Sequence, residues 1–126
     1  MSGTWKLNGA SISTSSDINK KNTITNLEAQ YSILFDNLRP VTYKYNNGTS
    51  NRLHVGFIAQ DVHKALQKAN IDTQNFAGLV IFNPEQKNEE WGLRYEEFIA
   101  LNTCELQKLK SRVIELESLL REKGVI

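Results

Sequence analysis

Two histidines, one cysteine and a short run of hydroxyl, acid and lysine residues near the start are where this chain's side chains first bear on chemistry. His54 and His63 have no Cys or carboxylate cluster at ligand spacing around them, so no metal site is expected. Cys104 is the single cysteine, which excludes an internal disulfide framework and suits a reducing compartment. No Gly-x-x-x-x-Gly-Lys-Ser/Thr loop occurs, so no P-loop nucleotide site and no cofactor are expected, and Asn47-Gly48-Thr49-Ser50-Asn51 reads as a turn. On spacing alone, Ser16-Asp17 reads as a helix cap and Lys20-Lys21 as a solvated pair.

The elements that must position these residues fit one small domain with appendages. The chain has 126 residues, a net charge of +1 and 23% charged residues, so it offers neither a large basic surface to nucleic acid or membranes nor an acidic one to cations. No run approaches the ~18 apolar residues of a membrane span. Residues 1–15, rich in Ser, Thr and Gly, read as the end of an upstream extended segment or a leader. Thr25-Asn26-Leu27-Glu28 matches a capping box, after which Leu27, Tyr31, Leu34 and Leu38 line a helix that Arg39-Pro40 stops. Val41 to Tyr45 and Leu53 to Ile58 read as the strands of a hairpin with Asn47-Gly48 at its tip. Gln60 to Ala69 predicts a helix with Val62, Ala65, Leu66 and Ala69 on one face. Leu79 to Phe82 and Trp91 to Arg94 predict strands on either side of a polar loop, with Phe82 and Trp91 as core residues. The sum is an α+β head over residues 16–94 followed by a projecting helix over 95–126.

That last segment carries a seven-residue apolar repeat. With Ile99 at a, the a series is Ile99, Leu106, Val113 and Leu120, and the d series is Tyr95, Asn102, Leu109 and Leu116. Glu105 and Arg112 fall at g and Lys110 and Glu117 at the following e positions, so parallel partners would oppose Glu105 to Lys110 and Arg112 to Glu117. Asn102 is a polar intruder suited to fixing register, and Cys104 falls at the solvent-facing f position. A parallel coiled coil is expected; the pattern alone leaves two and three strands open.

More specific is the order of Ser16-Asp17, Lys21, Tyr43-Lys44-Tyr45, His54-Val55-Gly56-Phe57-Ile58-Ala59-Gln60-Asp61-Val62 and the stretch from Gly92 to Asn102. Over about residues 16 to 120 the chain resembles the self-cleaving C-terminal intramolecular chaperones of phage tail spikes and endosialidases. The resemblance implies a homotrimer that registers an upstream fibre of the same polypeptide, from a phage tail fibre or neck appendage, in the host cytoplasm during assembly. It then implies release from the mature protein by self-cleavage. A non-cleaving trimerisation or capping module is the alternative.

The resemblance also implies the chemistry. Family members are cut before the Ser of the Ser-Asp pair, here the Ser15-Ser16 bond, with Ser16 as nucleophile and Lys21 as its base, making a serine peptidase with a Ser/Lys dyad. His54 is expected to donate to the oxyanion or to orient the scissile peptide, and Asp17 to position the turn or Lys21. A departure is that the family often has an Arg between the Asp and the Lys, where this chain reads Ile18-Asn19-Lys20.

Overall fold

The computed structural model describes residues 6–7, 10–11, 15–82, 85 and 88–126. In chain order the elements are β1 (Lys6–Leu7), β2 (Ala10–Ser11), α1 (Gln30–Asp36), β3 (Val41–Tyr43), β4 (His54–Gly56), α2 (Ala59–Lys68), β5 (Leu79–Phe82), β6 (Glu90–Leu93) and α3 (Glu97–Glu122). The strands form three separate antiparallel pairs, β1–β2, β3–β4 and β5–β6. The architecture is mixed α+β with a long C-terminal helix. Most of the expected leader, 1–15, lies outside the described residues.

α2 organises the head. Its apolar spacing brings Val62, Ala65 and Leu66 onto one buried face. At its end Asn70 takes a positive φ, Asn70 N–H bonds Gln67 O and Ile71 N–H bonds Leu66 O, a Schellman closure that turns Ile71 back into the core. Leu34 from α1, Phe76 and Leu79 beside β5, and Phe98 and Leu101 from α3 complete that core. The first turns of α3 are therefore part of the head. α3 then runs on for a total of 26 residues, about 39 Å, and stops in a second Schellman closure. There Gly124, at φ 71, has the left-handed geometry a side chain resists.

Several expectations are corrected. The Thr25–Glu28 capping box does not start a helix: α1 begins at Gln30, and Ala29 at its N-cap makes no side-chain bond. Leu27 stays exposed, so winding those residues into helix would bury nothing to offset the ordering. The β3–β4 strands are shorter than expected. The chain bends at Tyr45–Gly48 through a Gly48 N–H bond to Tyr45 O, and it is Asn51, not Gly48, that adopts a positive φ, so a longer loop replaces a tight turn. Phe82 is half exposed, whereas Trp91 packs against the core. Cys104 is half-buried rather than free at solvent.

Tyr95 leaves the seam altogether. It sits in the turn before α3, stacks on Phe57 at 6.1 Å, accepts from Phe57 N–H at 3.1 Å and donates to Phe57 O at 3.3 Å. These two hydrogen bonds, to the backbone N–H and C=O of Phe57, lock the β4–α2 junction to the start of α3, and only a glycine beneath them leaves room. A Cβ on Gly56 would lie 2.3 Å from the Tyr95 hydroxyl and 3.0 Å from its ring. Gly56→Ala is expected to cost about 1–3 kcal/mol of stability, measured by denaturant unfolding, and adding Tyr95→Phe is expected to recover part of that loss.

Candidate functional site

A short 3-10 turn over Ile18–Lys20 builds the N-terminal site. Asp17 caps it: its Oδ1 accepts from Asn19 N–H at 2.9 Å and from Asn19 Nδ2 at 3.2 Å. Lys20 N–H bonds Asp17 O and Lys21 N–H bonds Ile18 O, which folds the chain back so that Lys21 Nζ donates to Ser16 Oγ at 2.7 Å. The cap and the pairing are thus one device, with Asp17 shaping the turn that carries Lys21 to the hydroxyl. Ser15, Ser16, Asp17 and Lys21 are all exposed in the single chain.

His54 stands in a different cluster. It pairs with Tyr43 across the β3–β4 ladder, stacks on that ring at 5.4 Å and meets Tyr45 edge-on at 4.9 Å. Among the described residues no hydrogen bond joins His54 to Ser16 or Lys21. The Tyr45 hydroxyl, 3.4 Å from that of Tyr43, and after it the Tyr95 hydroxyl raise Tyr43 above the usual phenol range. Spacing gave no hint of this aromatic cluster, although Tyr43 and Tyr45 lie on one strand face by alternation. Among the described residues no three of His, Cys, Asp and Glu gather as metal ligands would. His63 instead lies against Trp91 at 5.0 Å, its Nδ1 buried without a partner.

The seam residues lie along α3. Ile99 is 66% exposed, Leu106 65% and Leu109 60%, and Val113, Leu116 and Leu120 are also uncovered. Asn102 lines a groove of about 890 Å³ between α1 and α3, together with Leu106 and Leu109. Glu105 is held within its own chain: Ser32 Oγ donates to it at 2.9 Å while Lys108 pairs with it at 3.2 Å and donates to Ser32.

The sequence profile of a peptidase family described as the chaperone of endosialidase matches residues 16–71. Its first matched residue is Ser16, and it spans both the Ser16–Lys21 pair and the His54–Val62 motif. Residues 16–71 fall in the endosialidase-chaperone family. The motif from Gly92 to Asn102 lies beyond this match. A crystal structure described as a novel intramolecular chaperon shares the fold of this chain. Its TM-score is 0.63 at 16% identity, over 77% of this chain and 99% of that one. No curated protein sequence matches.

Because the Tyr43 proton is held more tightly in the folded chain than in a free phenol, its contribution to stability is complete below about pH 10 and is lost as pH rises toward its higher folded value. Thermal unfolding followed above pH 10 is expected to show this loss, and Tyr43→Phe to flatten it.

Proposed function

We propose that this domain trimerises through α3, brings three copies of an upstream fibre segment into register during phage assembly in the host cytoplasm, and then cuts itself free at Ser15-Ser16. The observation that carries the cleavage reading is the 2.7 Å bond from Lys21 Nζ to Ser16 Oγ, at the residue where the family match begins. Supporting the assembly reading is the row of uncovered apolar residues on α3, whose burial would be worth about 1.5–3 kcal/mol for each fully covered Leu.

The chemistry runs through a five-membered ring. Ser16 Oγ attacks the Ser15 carbonyl carbon while its proton passes to a neutral Lys21 Nζ. The Lys21 ammonium returns that proton to the Ser16 nitrogen as the C–N bond breaks, leaving an ester between Ser15 and Ser16 Oγ. Water hydrolyses the ester to a Ser15 carboxylate and a chain that begins at Ser16. Base action needs a lysine stripped of its proton, and removal from water favours that neutral form. Closure of neighbouring subunits or of the folded fibre over the exposed turn would supply that cover. His54, with its tyrosine neighbours, would then donate to the oxyanion or align the peptide once the subunits close.

An upstream fibre is unaided in choosing among many registers, and a clamp on three chain ends shortens that search by removing loop-closure entropy. Mass spectrometry of the fibre-linked protein is expected to show a fragment beginning at Ser16. Ser16→Ala and Lys21→Arg are expected to keep the assembly while slowing cleavage roughly a hundredfold or more. Normal cleavage in Lys21→Arg would refute the dyad. An intact mass in a stable wild-type trimer would leave a trimerisation cap that does not cut. Equal yields of trimeric fibre with and without residues 16–126 would refute the chaperone role.

A further inference from the structure

Asn19 meets the Asp17 carboxylate twice, donating to Oδ1 through its backbone N–H at 2.9 Å and through Nδ2 at 3.2 Å. The backbone bond is one that any residue but proline could make here, whereas the second bond needs the side-chain amide. The turn itself closes without that second bond, through Lys20 N–H to Asp17 O and Lys21 N–H to Ile18 O. We propose that Asn19 is a positioning residue for the cut, holding the Asp17 carboxylate at the head of the turn and so keeping that charge away from Lys21. This role rests on the dyad reading above and adds to it what keeps the base fit to act.

The need for such a clasp follows from how the turn is folded. Lys21 Nζ rests on Ser16 Oγ, and Asp17 is the next residue along, so a carboxylate free to turn about its side-chain bonds comes within reach of the ammonium. A carboxylate beside an ammonium favours the charged form, and a charged lysine cannot take the proton of Ser16. Asp17, Lys20 and Lys21 are the charged side chains of this turn, and among the described residues none of them enters an ion pair. Instead, Asp17 Oδ1 is occupied by the N–H groups of Asn19, and Lys21 by the Ser16 hydroxyl.

The clasp matters most under cover. In the open chain Asp17 and Lys21 are both exposed, so water screens one from the other and a pair between them counts for little. Once a surface closes over the turn, the same charges act through a medium of lower polarity, and a loose carboxylate finds its nearest partner in the lysine. Closure would then strengthen the wrong protonation state. A carboxylate already given its donors has less to gain by moving, because leaving them would strand polar groups away from water. With Asp17 held, closure favours the neutral lysine instead.

The pH dependence of cleavage in the fibre-linked protein, refolded at a series of pH values and followed by mass spectrometry, tests this role. Asn19 lies on a turn that holds no buried residue, so Asn19→Ala is expected to match wild type in circular dichroism and in assembly state. Its cleavage is expected to slow roughly tenfold at neutral pH, with the rate profile displaced about one pH unit upward, because a freed Asp17 holds the proton on Lys21. Adding Asp17→Asn, which removes the charge and keeps an oxygen for the cap, is expected to return the profile toward its wild-type position. A profile unmoved in Asn19→Ala, or moved but not returned by Asp17→Asn, would overturn the proposal and leave Asn19 a part of the turn only. Lys21→Arg keeps the two readings apart: if it stops cleavage while the Asn19→Ala profile stays in place, the dyad stands and the clasp falls. Normal cleavage in Lys21→Arg, or an uncut wild-type protein, defeats both.

Discussion

Phe98 and Leu101 enter the same core as Leu34, Leu66 and Phe76, and this fixes how α3 is rotated on the head. A helix has little freedom once two of its side chains are buried on one side. Given that rotation, the row Ile99, Leu106, Leu109, Val113, Leu116 and Leu120 has to face about a quarter-turn away, where no described residue of its own chain covers it. The Ser32–Glu105–Lys108 contacts hold the same rotation further along, and Tyr95 holds it at the start through Phe57. The uncovered seam is therefore a consequence of good packing elsewhere.

The N-terminal turn obeys a different economy. Ser16 and Lys21 are only five residues apart, and a single capped 3-10 turn is enough to join them, so their proximity requires no long-range contact. What such a turn cannot supply is low polarity, because no buried residue belongs to it. Geometry and environment are thereby separated: the short-range turn sets the distance, and any change in the medium around the lysine has to come from a surface outside the turn. On the proposed reading, that separation lets the site be assembled early and activated late.

Some of this was legible in the residues. α2 could be read from Val62, Ala65, Leu66 and Ala69 because its burial pattern and its period agree. The strand pairs were legible in kind but not in length, since pairing ends where the twist and the loop demand, not where apolar residues stop. Thr25–Glu28 misled because a cap motif states only a local preference, and with no apolar face to bury there the preference was overruled. Tyr95 fitted the heptad by spacing but is held by the backbone of Phe57, far away in sequence, which no periodicity can register. Ser16 and Lys21 illustrate the reverse: cap and solvated pair were the plain readings, and the structure contains that cap and, through it, a hydrogen bond from Lys21 to Ser16.

On the proposed reading, assembly and cleavage are coupled through closure over the exposed turn that carries Ser16 and Lys21. A ligand shifts an equilibrium only by its differential affinity for two states, and a third chain binding only the closed arrangement has that property. Cleavage gated in this way would follow assembly rather than compete with it. Cutting would then remove the clamp from a finished fibre and leave unfolding without the end from which it could begin, which converts a modest equilibrium stability into a kinetic one.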